Sequence, residues 1–552
     1  MDIQVKVEGI GQVIAKEDSS LLDLSKEIYK DKYKKYLGAR IDNQIYNLYK
    51  KVEDGMEIRY LDNRDVDGYR IYTKTISAIF IMACKELYPE AQVNIEHFIG
   101  PGLYVKLHRP YSLRFKQLQE IEKKMWEIIR ADYEIERTVF SKEEAIEIFE
   151  KYGYQDKVRL FRTIDKKEVS IYTIGSHVDS FHGYLAPSTG YIDEFRLKYY
   201  YPGALILFPS KKNNYDINNF VEQKKLAQVF EESSRWLDIL DLAYVGSLNE
   251  KIQRGEIVDA IKVSEALHEK KIGQIADEIC ANKDNNIILI AGPSSSGKTT
   301  FAQRLAVQLR VNGKRPIAIS LDDYFVDRDK TPLNPDGSYD FESLDAVNLE
   351  QLNIDLLKLL EGQSVELPKF NFITGKSEKS GRIVSVDEDH PIIIEGIHGL
   401  NPRLTYEIPE KNKFKIYISA LTQLNLDAHN RIATTDIRLI RRMVRDVKFR
   451  GNKPLRTFEL WQGVRAGEER NIFPYQEEAD VMFNSSLVYE MAVLKKYIAP
   501  LLKEIDNSSV YYSEARKLLR FLEYFLDIED ESAIPTNSLL REFIGGASFN
   551  VH

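Results

Sequence analysis

The feature that most constrains this chain is the run Gly292-Pro293-Ser294-Ser295-Ser296-Gly297-Lys298-Thr299. It lies between the apolar stretch Ile287-Ile288-Leu289-Ile290-Ala291 and a segment with Phe301, Leu305 and Leu309 spaced four apart. The apolar stretch suits a buried strand, and the spacing suits a helix packed on a sheet. A Gly-rich loop in that context is a phosphate-binding loop, and it commits the chain to nucleotide chemistry. Backbone N–H groups of Ser294 to Lys298 are expected to converge on phosphate oxygens, backed by the positive end of the helix. Gly292 and Gly297 permit the turn and a close backbone approach. Lys298 is expected to reach the β- and γ-phosphates, and the Thr299 hydroxyl to ligate Mg²⁺. Residues Gly292 to Thr300 thus form the expected binding stretch for ATP with Mg²⁺.

Bulk properties narrow the class. A chain of 552 residues is too long for one core, so several domains are expected. A net charge of -8 argues against a general nucleic-acid-binding surface, though a local basic groove remains compatible with it. Cys84 and Cys280 are the only cysteines, which excludes a disulfide framework or a Cys-based zinc site. No apolar run approaches the ~18 residues of a membrane span. The start, Met1-Asp2-Ile3-Gln4-Val5, lacks the pattern of a signal peptide, so the expected location is cytoplasmic.

The pattern divides the chain into five regions. Residues 1–62 read as a small α+β unit, with strands at Ile3–Val7 and Met56–Tyr60 around a helix at Leu21–Tyr29. Residues 68–210 carry expected helices at Ile76–Leu87 and Leu118–Ile129 among aromatic-rich strands. Residues 211–285 are charged and helical by period, with Leu226, Phe230 and Leu237 on an apolar face, and read as a helical connector. Residues 286–505 hold apolar strands at 287–291, 316–321, 391–395, 414–418 and 480–484, separated by helical patterns as in a parallel α/β sheet. Residues 506–552 form a tail, helical from Tyr511 to Leu526, with a Gly-containing end.

Residues downstream of the loop decide between nucleotide-using classes. The strand Ile317–Leu321 ends in Asp322-Asp323, where one carboxylate can accept a proton from an attacking hydroxyl and the other can cap the turn. The strand Pro391–Ile394 ends in Glu395, the expected place for an acid that holds Mg²⁺ directly or through water. Arg438, Arg441, Arg442 and Arg445 form one helical stripe, beside an apolar stripe of Ile437, Ile440, Val444 and Val447. Such a row either faces solvent or, continuing into Lys448, Arg450, Gly451 and Asn452, folds over phosphates. No Asn-Lys-x-Asp occurs, which argues against a GTP switch.

These residues carry a resemblance. Region 286–505 is similar to the uridine–cytidine kinase branch of the phosphoribulokinase/uridine kinase family. The resemblance implies that Asp322 is the catalytic base and that Asp340, in Tyr339-Asp340-Phe341-Glu342-Ser343, holds the ribose hydroxyls. It further implies that Glu395 is the Mg²⁺-associated carboxylate, and that Arg442 and Arg445 are lid arginines contacting substrate and phosphates. Pro368-Lys369-Phe370-Asn371-Phe372 matches the base-binding segment. Phe370 and Phe372 lie on one side of an extended strand, where they can stack a base or belong to the core. The chain departs from the family at Phe370 and Gly375, where a tyrosine and a histidine read the pyrimidine edge, and at Asn452, where a second lid arginine is usual. Weak base discrimination follows.

Residues 1–62 resemble the TGS module of threonyl-tRNA synthetases, and about 70–205 resemble the editing domain of those enzymes. Lys85-Glu86-Leu87-Tyr88-Pro89, Ile99-Gly100-Pro101-Gly102-Leu103-Tyr104 and Pro187-Ser188-Thr189-Gly190 carry the likeness. The editing site needs two histidines, a Cys and a further His. Those positions hold Lys74, Ala78, Phe181 and Leu185 here, so hydrolytic editing is not expected. His177 and His182 lie nearby and read as surface or packing histidines.

The expected fold is an α/β P-loop kinase domain with a parallel sheet, preceded by α+β TGS-like and editing-like domains. The expected activity is ATP-dependent phosphorylation of a nucleoside at its ribose 5′-hydroxyl, with a non-catalytic amino-terminal half that binds or regulates. Two alternatives stand beside it: a kinase of another small hydroxyl substrate such as a sugar phosphate, and an RNA-associated regulatory ATPase. No membrane partner is expected, nucleic acid only through the amino-terminal half, and homo-oligomerisation only by resemblance.

Overall fold

The computed structural model describes residues 2–550 except 110, 111, 335, 336, 372, 388 and 423. The amino-terminal unit runs β1 (Asp2–Val7), β2 (Gly11–Lys16), α1 (Leu21–Tyr29), β3 (Gly38–Ile41), β4 (Gln44–Tyr46) and β5 (Glu57–Leu61). The sheet order is β2-β1-β5-β3-β4. A capping box between Ser20 and Asp23 starts α1, and its Leu21 and Leu24 are buried against Val5, Val7 and Ile58.

Next come α2 (Val66–Leu87), β6 (Gln92–Ile99), β7 (Gly102–His108), α3 (Phe115–Ala131), β8 (Ile135–Ser141), α4 (Lys142–Lys151) and α5 (Gln155–Thr163). They are followed by β9 (Glu168–Ile174), β10 (His177–Asp179), β11 (Arg196–Tyr200) and β12 (Gly203–Leu207). Two antiparallel sheets result, β11-β12-β7-β6 and β10-β9-β8. The sequence pattern starts α2 at Ile76, but the helix begins at Val66. Its first turns are polar because Arg70 forks onto Glu514 at 2.8 and 2.9 Å, an ion pair invisible to local periodicity.

The connector is α6 (Lys224–Leu240), α7 (Val245–Gln253) and α8 (Ile257–Ala281). It is structural cover rather than a spacer. Leu226 and Phe230 of α6 pack on Tyr417 and Met482, while Ile272, Ile275 and Ile279 of α8 pack on Phe301 and Leu305.

The carboxy-terminal unit begins with β13 (Ile287–Ala291), α9 (Lys298–Val311), β14 (Ile317–Ser320) and α10 (Leu349–Leu360). A hairpin of β15 (Val365–Asn371) and β16 (Lys376–Val384) precedes β17 (Ile392–Glu395) and β18 (Lys413–Ser419). The chain then runs α11 (Thr434–Phe449), α12 (Pro454–Asn471), β19 (Val481–Asn484), α13 (Glu490–Lys503), α14 (Tyr512–Leu522) and α15 (Arg541–Ile544). The five strands form one parallel sheet ordered β14-β17-β13-β18-β19. Both faces are covered, which is why the strands read as continuous apolar runs. Phe301, Leu305 and Leu309 of α9 are fully buried on one face, each worth about 1.5–3 kcal/mol in transfer from water.

The tail helix ends at Leu522, short of the expected Leu526, and the chain then turns back to the sheet. Leu539 joins the core around α9, and Phe543 and Ile544 join that around α11. Among the described residues no helix is long and apolar enough to cross a membrane.

Candidate active site

The carboxyl edge of the parallel sheet collects the predicted residues. β13 runs straight into the loop 292–297, whose turn needs glycine at both ends. A side chain on Gly292 would come within 2.0 Å of the Ile418 carbonyl, and Gly297 has φ +86° before α9 starts. Ser295 also adopts a left-handed conformation. Among the described residues the buried hydroxyls of Ser295 and Ser296 have no hydrogen-bond partner, an arrangement that suits incoming acceptor oxygens.

Not every backbone donor is free for phosphate. The Ser294 N–H donates to Glu468 Oε1 at 2.9 Å, and the Ser296 N–H to the Pro293 carbonyl at 3.2 Å. The expectation of an uninterrupted row of donors from Ser294 to Lys298 is corrected accordingly. Glu468 lies on α12, 174 residues away, and no local pattern signals it. Lys298 folds back on its own loop, donating to the carbonyls of Gly292 at 2.9 Å and Pro293 at 3.4 Å rather than reaching forward. Burial lowers its pKa, and Glu395, Glu542 and Asp322 oppose that.

At the end of β17, Glu395 Oε1 accepts from the Thr299 hydroxyl at 2.9 Å. Burial raises the Glu395 pKa, while Lys298 and the Thr299 hydrogen bond favour its charge. Asp322 lies in the turn directly after β14, its N–H held by Ser320 Oγ at 3.3 Å. Its side chain is open to solvent, yet surrounding protein raises its pKa and Lys298 opposes the rise. A carboxyl at the bottom of a cleft is reached by solvent from one side and deprived of it on the others. Neighbouring Asp323 is likewise pushed up by burial, eased by a backbone hydrogen bond from Phe370.

The arginine stripe of α11 faces inward and divides into two roles. Arg438 and Arg441 are buried and clamp the loop: Arg438 Nε donates to the Ser294 carbonyl at 3.0 Å and its guanidinium pairs with Glu468. Arg441 donates to Glu490 at 2.5 Å, to the Ser485 carbonyl at 2.8 Å and to the Ser295 carbonyl at 3.4 Å. Arg442 donates to Ser294 Oγ at 2.9 Å. Arg445 lies beside the buried carboxylate of Asp446 at 3.5 Å, and burial lowers its pKa to about 10. The solvated-face alternative therefore does not hold. Lys448 turns away from the loop and donates to the Ile544 carbonyl.

Further along the chain, Asp340 is buried and receives a hydrogen bond from Arg470 at 3.1 Å. Glu342, two residues on, packs against Gly467 of α12 and is half-buried. Burial, reinforced by Glu468 and opposed by Arg442 and Lys298, raises its carboxyl to about 7. Phe370 is buried, with its ring edge-on to Phe325 at 5.6 Å. Phe372 lies outside the described residues. At Gly375 the Arg328 side chain occupies the space a β-carbon would need, and the Arg328 N–H donates to the Gly375 carbonyl at 2.8 Å. A guanidinium thus stands where the glycine side chain offers no hydrogen bond.

The tail contributes as well. Glu542 of α15 accepts from the Thr300 hydroxyl at 2.7 Å and from its N–H at 3.4 Å. Leu539 fits against Gly297, whose substitution would bring a β-carbon within 2.8 Å of it.

In the amino-terminal half, Lys74 and Phe181 line a cavity, whereas Ala78 and Leu185 are core. His177 is buried beside Asp179 at 3.8 Å. No group of His, Cys, Asp and Glu side chains among the described residues is arranged to hold a metal.

A strand-loop-helix phosphate site at the carboxyl edge of a parallel sheet, with acids after two neighbouring strands, defines a P-loop kinase, a phosphotransferase. Residues 287–492 match the Phosphoribulokinase / Uridine kinase family, and that domain occupies the carboxy-terminal part of the chain. The chain is similar over 177 residues to the threonine–tRNA ligase of Alkalilimnicola ehrlichii, at 31% identity across 32% of this chain and 28% of the ligase. It is 34% identical over 180 residues to that of Natranaerobius thermophilus, covering 32% of this chain and 28% of the ligase. The chain thus spans little more than a quarter of the length of these ligases, whose TGS and editing region its amino-terminal part matches. A solved structure, described as a possible uridine kinase from Bacillus stearothermophilus, aligns at 21% identity over 39% of this chain and 97% of its own, with a TM-score of 0.26.

Proposed function

We propose that the protein is an ATP-dependent nucleoside kinase that transfers the γ-phosphate of ATP to the ribose 5′-hydroxyl of a uridine- or cytidine-like nucleoside. The observation that carries this reading is the position of Asp322. It is a solvent-reached carboxyl of raised basicity, on the same sheet edge as Lys298 and the Thr299–Glu395 pair.

Asp322 takes the proton from the 5′-hydroxyl as its oxygen attacks the γ-phosphorus. The bond from that phosphorus to the bridging oxygen breaks, and ADP leaves. Lys298, Arg442 and Arg445 offset charge on the transferred group, and Arg438 and Arg441 keep the loop in place. Asp340, oriented by Arg470, accepts from the ribose hydroxyls, and Phe370 supplies an aromatic wall for the base. The Thr299 hydroxyl and Glu395 carboxylate form an oxygen-only donor pair, which suits a hard cation such as Mg²⁺. Magnesium there would supply charge neutralisation to the phosphate oxygens.

The test is incubation with labelled ATP and a panel of nucleosides, with and without Mg²⁺, comparing wild type with Asp322→Ala. Mg²⁺-dependent nucleoside monophosphate formation that the substitution abolishes is the expected result. Phosphorylation of no nucleoside, with RNA stimulating ATP hydrolysis, would overturn the reading.

A further inference from the structure

A cavity of about 450 Å³ lies where the two halves of the chain meet, and no residue of the phosphate loop lines it. Its walls come from α2, from β8 and the start of β9, from residues 426–436 and from α14. The volume falls within the range of small-molecule sites.

Its charge is unusual. Lys74, Arg137, Lys166, Arg431 and Arg520 all line it, and none has a carboxylate within ion-pairing distance among the described residues. Their contacts are with neutral groups. Lys74 donates to the His182 carbonyl, Lys166 to the Tyr524 hydroxyl at 3.1 Å, and Arg137 to Ser170 Oγ at 2.6 Å. The lining acids are committed or outward: Asp67 pairs with Arg40 and Arg70, Asp436 with Lys517, Asp427 with Lys157, and Glu168 is exposed. Burial, together with Arg70, Arg431 and Lys517 and opposed by Asp436, lowers the Lys74 pKa to about 7. The walls also carry flat apolar surface: Arg431 lies 4.7 Å over the Phe98 ring, and Lys166 lies 4.6 Å over that of Tyr524.

The cavity reaches the active site through one helix. Ile432 and Ala433, which line it, immediately precede α11, and Asp436 lies in that helix's first turn. One to two turns into the helix, Arg438, Arg441 and Arg442 hold Ser294 and Ser295 of the phosphate loop.

We propose that this cavity binds a small phosphorylated molecule of nucleotide size, and that α11 transmits its occupancy to the phosphate loop. The phosphate offsets the unpaired cations, the aromatic rings cover a planar or apolar portion, and the amino end of α11 adds favourable dipole. A recess of this volume, on a chain of net charge -8, fits a small anion better than an RNA strand.

The test is calorimetric titration of the full chain preloaded with a saturating non-hydrolysable ATP analogue and Mg²⁺. The probes are inorganic pyrophosphate and the 5′-mono- and triphosphates of adenosine and uridine. At least one probe should bind in the micromolar range, weakened about tenfold for each cation removed in Lys74→Gln/Lys166→Gln. Arg137→Gln, at an exposed position where folding is not at stake, should weaken it by itself. The same probe should shift the affinity for the ATP analogue at least threefold, and the double variant should lose that shift. No probe binding below 1 mM, binding unaltered in both variants, or binding only of a single-stranded RNA oligonucleotide would overturn the site. Binding without any shift would overturn the coupling. None of these readouts depends on which acceptor is phosphorylated, so the proposal and the kinase reading fail separately.

Discussion

Replacing Glu342 by glutamine should stabilise the folded chain at alkaline pH and do progressively less as the pH falls. The carboxyl is half-buried between Gly467 and the acid Glu468, and it titrates near 7 in the folded state instead of near its ordinary 4.5. A group whose folded pKa is raised binds its proton more tightly in the native state. The stability it contributes is complete below pH 4.5 and is lost as the pH rises towards 7 and beyond. At 1.36 kcal/mol for each pH unit, the full loss would be about 3 kcal/mol, and residual hydration of a half-buried group reduces it to about 2. Glutamine keeps the shape and carries no charge. Thermal unfolding of wild type and variant should therefore diverge by about 2 kcal/mol between pH 5 and pH 8.5, roughly 4–8 °C for a unit of this size. A constant difference across that range would refute the argument, because it would mean that Glu342 titrates normally or that packing alone decides its effect.

Glu395→Ala removes the carboxylate behind Thr299, and the Mg²⁺ concentration for half-maximal ATP turnover should rise about 10–100-fold. An unchanged Mg²⁺ requirement would exclude Glu395 from that role. Lys157→Met should destabilise the chain by about 3–5 kcal/mol in urea denaturation, since buried Lys157 lies between Asp179 at 3.2 Å and Asp427 at 3.0 Å and its loss removes the ammonium that both carboxylates share. A cost under about 1 kcal/mol would show that those carboxylates find other partners. Leu539→Ala should cost about 2–5 kcal/mol and weaken binding of a fluorescent ATP analogue, because the side chain packs on Gly297. Unaltered analogue affinity would show that the loop does not need this support.

The five parallel strands were legible because burial on both faces leaves nearly unbroken apolar runs, as in Ile287–Ala291 and Ile392–Ile394. Loop residues and strand-end acids were legible for the same reason: their places are fixed relative to those strands. The polar start of α2 was missed because Asp67, Arg70 and Lys74 interrupt the apolar period, and the carboxylate that Arg70 forks onto, Glu514, lies 444 residues away. Periodicity put Arg438 and Arg441 on one face of α11, but only Glu468 and Glu490, on later helices, make that face an interior one. Glu542 and Arg328 carried no local signal. Each gains its place from a tertiary contact, Glu542 with Thr300 and Arg328 with Gly375.

The docking of Leu539 and Glu542 against Gly297 and Thr300 has a consequence for biosynthesis. Glu542 lies 242 residues beyond Thr300, so the loop is translated long before the side chains that brace it. At ribosomal speeds of about 5–20 residues per second, that interval is on the order of tens of seconds. During it the nascent sheet can form, while the nucleotide pocket stays unfinished. Competence for phosphoryl transfer is therefore acquired only after residue 542 has been made.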